Sequence, residues 1–287
     1  MTETVLSMHE VHKSFRRRPA LRGCTFEIPR GTVTALVGAN GAGKSTVMSL
    51  AVGLLAPDSG SVSVLGKPPN QNGIRSGLSY LAQHRPLYPK FSVADILRFG
   101  AHANTDWDGG YAAALVDAAG IPMSAKVKAL SPGHRTRVAL ALTLGRRPEV
   151  LLLDEPLADL DPLARRDVAQ TLMQHVADHG TTVVLSSHVL AELTNVADHL
   201  LLLGDGRVRL SGEIEALLSE HYVLAGSADP GPVVGEGAVI DTRTGAGQSV
   251  HLVRGPRPAV SEGWSLDDAD LDDLVLAHLG AQSNSIA

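Results

Sequence analysis

The sequence predicts an α/β fold built on a largely parallel sheet, and three observations support this prediction. Short apolar segments alternate with longer segments of helical character, as in folds whose strands are joined by crossover helices. Several of the short segments are apolar at every position, which is typical of strands that are covered on both faces. A chain of 287 residues, 44% hydrophobic and 19% charged, is long and apolar enough to bury a full core.

The individual elements follow from the periodicity of the apolar residues. Strands are predicted at residues 5–8, 33–37, 78–81, 150–153, 182–185 and 200–203. Helices are predicted at residues 45–54, 93–101, 111–119, 131–144, 162–179 and 189–197. The sequence GDGR at residues 204–207 separates two apolar runs and predicts a tight hairpin turn.

The composition changes after Tyr222, where a stretch rich in glycine and proline indicates a linker. We therefore expect one domain over residues 1–222 and a small α+β region over residues 223–287. Residues 249–253 predict a strand within this region. The sequence SLDDADLDDLVLAHL predicts a final helix, in which Ser265 and Asp268 resemble a capping box. Its residues Leu271, Leu274, Val275 and His278 share one face.

Charge and cysteine content exclude some classes of function. A formal net charge of −5 argues against nucleic-acid binding, which needs a positive surface. Cys24 is the single cysteine, so no disulfide forms within the chain and a reducing compartment is expected.

No apolar run approaches the roughly 20 residues that span a bilayer, and the polar N-terminus does not resemble a signal peptide. His175 and His179 have no third ligand at metal-site spacing, so a solvated helix face is expected there.

The segment GANGAGKST, residues 38–46, follows a predicted strand and opens a predicted helix, which is the context of a phosphate-binding loop. Its glycines let backbone N–H groups curl around an anion, and the positive end of the helix adds to the attraction. Lys44 is placed to reach the β- and γ-phosphates of a nucleotide, and the Ser45 hydroxyl to ligate Mg²⁺. The residues expected to hold the phosphates are Gly38, Ala39, Asn40, Gly41, Ala42, Gly43, Lys44, Ser45 and Thr46.

Two acidic residues, Asp154 and Glu155, follow the apolar segment VLLL. Because parallel strands present ligands at their carboxyl ends, both are expected at the same sheet edge as the phosphate loop. Asp154 is suited to holding Mg²⁺ through water, and Glu155 to orienting or deprotonating an attacking water. The alternative is that the pair caps a following helix.

These motifs stand in a definite order: GANGAGKST, Gln83 in LSYLAQ, LSPGH, VLLLDEP followed by LADLDP, and LSSH. The set resembles the ATP-binding subunit of an ABC transporter, over about residues 5–217. The resemblance implies a P-loop ATPase domain with a mainly parallel sheet core, an antiparallel β subdomain and a helical subdomain at about residues 84–146. The tail is similar to the small C-terminal extension of subunits that power drug- or antibiotic-exporting permeases.

Three further residues match functional positions of this family. Phe15 matches the aromatic residue that stacks on adenine, although tyrosine is commoner there and a core aromatic is the alternative. Gln83 matches the glutamine that contacts Mg²⁺ and the attacking water; an exposed glutamine at a strand end is the alternative. His188 matches the histidine that contacts the γ-phosphate, and its imidazole is suited to steering Glu155; a structural histidine is the alternative.

The segment LSPGH departs from the LSGGQ pattern with which family members close the ATP bound by the opposite subunit. Ser131 and Gly133 are kept, while Pro132 replaces a glycine and a histidine replaces the glutamine. If Ser131 is the N-cap, Pro132 falls at the first helical position, where proline is tolerated. We therefore expect a working site with slower turnover. In the ADLD segment, Asp161 is kept, and an alanine replaces the serine of the family's interface loop.

The resemblance implies a cytoplasmic ATPase, peripheral on the cytoplasmic face of the cell membrane, with ATP and Mg²⁺ as cofactors. It implies a homodimer or heterodimer of ATPase subunits that powers an integral membrane permease in a separate chain, with export of a drug-like or antibiotic compound expected. Leu87, Tyr88, Phe91 and Ile96 are expected to contact the permease, with core packing of these residues as the alternative. A soluble ABC ATPase acting on ribosomes or DNA is the main alternative function, although the chain has one phosphate loop and no sustained heptads.

Overall fold

The computed structural model describes residues 3–71, 73–158, 160–190, 193, 196–226, 231–234, 236–245, 248–259 and 263–280. The strands are β1 (Thr4–Phe15), β2 (Arg18–Pro29), β3 (Val33–Val37), β4 (Ser59–Val64), β5 (Leu78–Leu81), β6 (Val150–Leu153), β7 (Thr182–Ser187), β8 (His199–Gly204), β9 (Arg207–Glu213), β10 (His221–Gly226), β11 (Ala238–Gly245), β12 (Gln248–Arg254) and β13 (Trp264–Asp268). The helices are α1 (Lys44–Ala51), α2 (Val93–Ala103), α3 (Gly109–Ala118), α4 (Pro132–Leu144), α5 (Pro162–His179), α6 (Ile214–Ser219), α7 (Gly231–Val234) and α8 (Leu271–Gly280), with a 3₁₀ turn at Val127–Ala129.

A six-stranded sheet forms the centre of the molecule, in the order β5-β6-β7-β3-β8-β9. Its first five strands run parallel, and β9 pairs antiparallel with β8 at one edge. Every residue of β3 and β6 is buried, because helices cover both faces of a parallel sheet. The predicted α/β fold with a largely parallel sheet is confirmed. Asp205 and Gly206 both have positive φ, as a tight hairpin turn between β8 and β9 requires.

A second sheet, antiparallel and of order β2-β1-β4, packs its apolar face on α1 and on one side of the central sheet. The predicted strand at residues 5–8 is only the first third of β1. Beyond Met8 the strand has a bulge and carries exposed polar residues, so a search for apolar runs ends too early. The same polar alternation hides β2 and β4, which the sequence analysis missed.

Helix boundaries follow from capping residues. Ser92 and Asp95 form a reciprocal capping box at the start of α2, with the Asp95 N–H donating to Ser92 Oγ. Asp161 caps α5, Pro162 takes its first position, and Gly180 ends it with φ at 62°. Helices α2 and α3 and the second half of α4 enclose an apolar cluster of their own, at the place expected for a helical subdomain. Among the described helices, none has the length and apolar character needed to cross a bilayer. Four residues of the helix predicted at 189–197, namely 191, 192, 194 and 195, lie outside the described residues.

The C-terminal region is a four-stranded antiparallel sheet of order β11-β12-β10-β13, packed with α8. The boundary expected after Tyr222 falls inside β10, so this sheet begins at His221. The strand predicted at residues 249–253 is found as β12. Buried Leu274 and Val275 of α8 belong to the same apolar cluster as Leu200 of β8, which joins the C-terminal region to the central sheet.

The predicted start of the final helix near Ser265 is wrong. Ser265 lies in β13 opposite Ala225 of β10, since Trp264 and Leu266 alternate with polar residues as in a strand. Helix α8 begins at Leu271 and is capped from Asp270 instead. The Asp273 N–H donates to Asp270 Oδ1 at 2.8 Å, and the Asp270 N–H donates to Asp273 Oδ2 at 3.2 Å.

The sequence analysis predicts a solvated helix face at His175 and His179, and this prediction is wrong for His175. The side chain of His175 on α5 is buried against neighbouring elements. The His175 ring contacts the Tyr111 hydroxyl through Nδ1 at 2.7 Å and the Thr181 hydroxyl through Nε2 at 3.1 Å. Burial lowers the pKa of His175 to about 4, with the positive charges of His179 and Arg147 adding to the shift. Among the described residues, no group of three or more His, Cys, Asp or Glu side chains is placed to hold a metal ion.

We expect His175 to make the fold sensitive to acid. Its folded-state pKa lies below the ordinary value of 6.5, so its stabilising contribution is complete above about pH 6.5 and is lost as the pH falls toward 4. His175→Gln should therefore show a smaller drop in melting temperature between about pH 7.5 and about pH 5 than the wild type. The control is His102→Gln, on the exposed surface of α2. If the melting temperature falls equally in all three proteins between these two pH values, His175 does not have this role.

Candidate active site

The loop between β3 and α1 has a backbone that only glycine permits at key positions. A Cβ on Gly38 would overlap the carbonyl oxygen of Leu203, and one on Gly43 would lie 2.7 Å from Leu21 Cδ2. Gly43 also has φ at 109°, in the left-handed region that glycine favours. Helix α1 starts directly at Lys44. The unpaired N–H groups of its first turn therefore lie beside the loop, as an anion site requires.

A cavity of about 390 Å³ opens beside this loop. It gathers residues from five parts of the chain: the end of β1, the start of β2, the loop with the start of α1, the segment after β5 and the segment after β6. The lining residues are Phe15, Ala20, Asn40, Gly41, Gly43, Lys44, Ser45, Thr46, Gln83 and Glu155. Phe15 is 43% exposed, which places it on this cavity and outside the core.

Asp154 and Glu155 emerge at the carboxyl end of β6 and are both buried. They do not cap a helix, because the next helix, α5, is capped by Asp161. Asp154 Oδ1 accepts a hydrogen bond from the Ser186 hydroxyl at 2.8 Å, and Oδ2 accepts one from the Tyr80 hydroxyl at 3.4 Å. Burial and the neighbouring Asp154 raise the pKa of Tyr80 to about 12, so the phenol stays a proton donor. Two hydroxyls thus orient this carboxylate.

The Glu155 carboxylate lies between two nitrogen groups. Its Oε1 is 3.5 Å from Lys44 Nζ, and its Oε2 is 2.7 Å from His188 Nδ1. Lys44 also donates from Nζ to the Gly38 carbonyl at 2.7 Å. His188 follows β7 directly, and about half of its side chain is exposed. The glutamate therefore has one oxygen toward the phosphate loop and the other toward an imidazole at the surface.

Ser131 and Gly133 are not among the residues that line this cavity. Ser131 is the exposed N-cap of α4, and its hydroxyl accepts from the His134 N–H at 3.2 Å. Pro132 occupies the first helical position, as the sequence predicts. A Cβ on Gly133 would lie 3.1 Å from Ala164 Cβ, so the first turns of α4 and α5 abut.

Asp161 lies beside this surface, also away from the cavity. Its carboxylate accepts from the backbone N–H groups of Leu163 and Ala164, at 3.1 and 2.9 Å. Leu163, in the first turn of α5, is 64% exposed, which is high for a leucine. Within one chain, the predicted site residues therefore form two separate surfaces.

Comparison with known proteins gives the family. A family model described as ABC transporter matches residues 21–158. SsuB of Pseudomonas fluorescens (strain Pf0-1), an aliphatic sulfonates import ATP-binding protein, is 36% identical over 73% of this chain and 77% of its own length. The Nod factor export ATP-binding protein I of Bradyrhizobium sp. (strain SNU001) is 32% identical over 77% of this chain and 74% of its own length.

A solved structure agrees with these relatives. The cbiO1 protein of Clostridium perfringens, part of the ABC transporter complex cbiONQ, matches with a TM-score of 0.63 and 31% identity, over 76% of this chain and 92% of that chain. The SsuB relative is named as an import protein and the Nod factor relative as an export protein. They share with this chain the phosphate-loop ATPase fold. The chain therefore belongs to the ABC transporter family, as an ATP-binding subunit that hydrolyses ATP.

Proposed function

We propose that this subunit hydrolyses ATP with Glu155 as the catalytic base and uses the energy to drive a separate membrane permease. The observation that supports this most directly is the position of the Glu155 carboxylate, between Lys44 and His188 on the cavity of the phosphate loop. Glu155 would orient and deprotonate the attacking water. Lys44 and His188 would stabilise the charge that develops on the γ-phosphoryl group.

A Mg²⁺ ion fits the donor set of this site. The hydroxyl of Ser45, the amide oxygen of Gln83 and the carboxylate of Asp154 are oxygen donors, the kind of ligand that Mg²⁺ prefers. Asp154 is held in one orientation by the hydroxyls of Ser186 and Tyr80, as a ligand to a metal-bound water needs to be. When bound, the ion neutralises charge on the β- and γ-phosphates.

We propose that the site is completed by a second ATPase subunit. Ser131 and Gly133 lie at the start of α4, away from the chain's own phosphate loop, and Ser131 is exposed. A head-to-tail dimer would bring the positive end of α4 and the Ser131 hydroxyl to the nucleotide of the other subunit. The exposed Leu163 near Asp161 would be covered in the same interface.

The proposed permease contact is an aromatic patch formed by Tyr88, Phe91 and Phe99, all three exposed. The Tyr88 ring lies 5.0 Å from that of Phe91 and 5.8 Å from that of Phe99, between centroids. Clustered exposed aromatic side chains are typical of a surface that receives a partner. Ile96 does not belong to this patch, contrary to the sequence expectation, because it is buried in the helical subdomain.

Contact with a permease would place the protein on the cytoplasmic face of the cell membrane. Its C-terminal sheet with α8 supports export of a drug-like or antibiotic compound, through the similarity of the tail to the extension of such exporters. The Nod factor export relative agrees with this direction, while the sulfonate relative is an importer. A net charge of −5 disfavours the alternative role on ribosomes or DNA.

We predict that Glu155→Gln lowers ATP turnover by about 100-fold or more, because general base catalysis contributes about 10²–10⁴-fold. Binding of ATP, followed with a fluorescent analogue, should change little, since the amide keeps the shape of the carboxylate. The matched control is Glu149→Gln, an exposed glutamate at the other end of β6. Turnover close to that of the wild type would refute the role of Glu155 as the base.

The aromatic patch gives a second prediction. Phe99→Asp should abolish recruitment of the purified subunit to membrane vesicles that contain its permease, because a buried unpaired carboxylate is unfavourable at an interface. ATP turnover of the isolated subunit should be retained. Leu54→Asp, at an exposed leucine after α1, is the matched control. Unchanged recruitment of Phe99→Asp would place the permease contact elsewhere.

A further inference from the structure

The backbone of Glu155 adopts a conformation that is unfavourable for this residue. Its φ is 48°, in the left-handed region that residues with a Cβ rarely adopt. Pro156 follows directly, and a residue before proline ordinarily prefers an extended backbone. Such a conformation persists only where surrounding contacts impose it. The groups that form hydrogen bonds with the peptide units on either side of Glu155 are therefore candidates for imposing this conformation.

Ser186 of β7 binds the amino side of Glu155. Its hydroxyl oxygen accepts from the Glu155 N–H at 2.9 Å and donates to Asp154 Oδ1 at 2.8 Å. Ser186, Asp154 and Glu155 are all at least nine-tenths buried, so water does not compete for these hydrogen bonds. One hydroxyl thus fixes both the carboxylate of Asp154 and the peptide that leads into Glu155.

Arg85 binds the carboxyl side of Glu155. Its Nη2 lies 3.2 Å from the Glu155 carbonyl oxygen, 3.0 Å from that of Pro156 and 3.2 Å from that of Ala158. These three carbonyls belong to an irregular segment between β6 and α5, where no regular ladder satisfies them. A guanidinium is suited to this task, because it is always charged and presents several N–H donors in a rigid plane.

We propose that Arg85 and Ser186 are positioning residues that hold the left-handed backbone of Glu155, and through it aim the carboxylate between Lys44 and His188. This inference rests on the proposed role of Glu155 as the base. Without Arg85 or Ser186, the peptide is free to relax toward the extended conformation that Pro156 favours. A backbone change at Glu155 turns the side chain away, and a displacement of about 1 Å is enough to slow an enzyme about 100-fold.

Neither Arg85 nor Ser186 is among the residues that line the cavity of the phosphate loop. Arg85 binds backbone carbonyls, and Ser186 binds the Glu155 N–H and the Asp154 carboxylate. Their removal should therefore lower kcat and leave the KM for ATP almost unchanged. A loss of nucleotide affinity in parallel with kcat would instead indicate a general distortion of the cavity.

The experiment compares Arg85→Ala, Arg85→Lys, Ser186→Ala and Ser186→Thr in the full-length chain. We expect kcat to fall by about 10- to 100-fold in the two alanine variants, with the KM for ATP and the affinity for a fluorescent ATP analogue within about threefold of the wild type. Arg85→Lys keeps a cation for the carbonyls, and Ser186→Thr keeps the hydroxyl. Both conservative variants should recover part of the lost kcat, which a merely structural role would not predict.

Two matched controls lie outside the site. Arg146→Ala removes a half-buried guanidinium that donates to the Arg75 carbonyl at 3.3 Å. Ser79→Ala removes a buried hydroxyl of β5 that has no hydrogen-bond partner among the described residues. Both controls should keep the wild-type kcat. Melting temperatures of all variants show whether the fold is retained, and Arg85→Lys and Ser186→Thr keep the test valid if an alanine variant fails to fold.

Wild-type kcat in folded Arg85→Ala and Ser186→Ala would overturn the inference. An equal loss of kcat in the Arg146→Ala or Ser79→Ala control would also overturn it. So would a loss of ATP affinity in Arg85→Ala and Ser186→Ala that parallels their loss of kcat. Comparison with Glu155→Gln separates the two proposals. If Glu155→Gln is inactive while Arg85→Ala and Ser186→Ala are normal, only the positioning role fails. If Glu155→Gln itself turns over at the wild-type rate, the proposed function fails first.

Discussion

The ion pair between Lys44 and Glu155 is the interaction on which the rest of the site depends. Both side chains are buried, and an unpaired charge at either position would be strongly destabilising. The pair exists because the strands that carry its neighbours are adjacent: β3 pairs with β7, and β7 pairs with β6. Their carboxyl ends meet at one edge of the sheet, which brings the phosphate loop, the acidic pair and His188 together.

The same arrangement supports the proposal that a second subunit completes the site. Helix α4 starts at Ser131, on a surface that also carries Asp161 and the exposed Leu163. Pro132 fits the first helical position there, so the departure from the family's glycine preserves the N-terminus of the helix and its positive end. The proline removes one backbone N–H donor and leaves the Ser131 hydroxyl in place. A working site with slower turnover therefore stays a prediction for this segment.

Much of the fold and the site could be predicted because the signals were local. The phosphate loop is a continuous motif, and the central strands are short runs of buried apolar residues such as β3 and β6. The strands β2 and β4 were missed because their polar, half-exposed sequences carry no such signal. The start of α8 was misplaced because Ser265 and Asp268 offered a plausible capping box within β13, five positions before the actual cap at Asp270.

The contacts around Asp154 and Glu155 could not be predicted for a different reason. Ser186, Tyr80 and Arg85 reach these acids from β7, β5 and the segment after β5, so their roles depend on which strands are neighbours. The left-handed backbone of Glu155 leaves no mark in the sequence, since neither glutamate nor a following proline favours it. Knowledge of the sheet order and of this one φ angle is needed to see that these side chains act on the same residue.

Each ATP site is proposed to be shared between two subunits, and mixing two inactive variants of this chain tests that proposal most directly. Lys44→Ala disables the phosphate loop and Ser131→Arg disables the signature segment, so each variant alone should turn over little ATP. A mixed dimer keeps one site in which both parts are intact, and random pairing should therefore restore about a quarter of the wild-type turnover. If the mixture stays as inactive as the separate variants, or if Ser131→Arg alone is fully active, the site is not shared in this way.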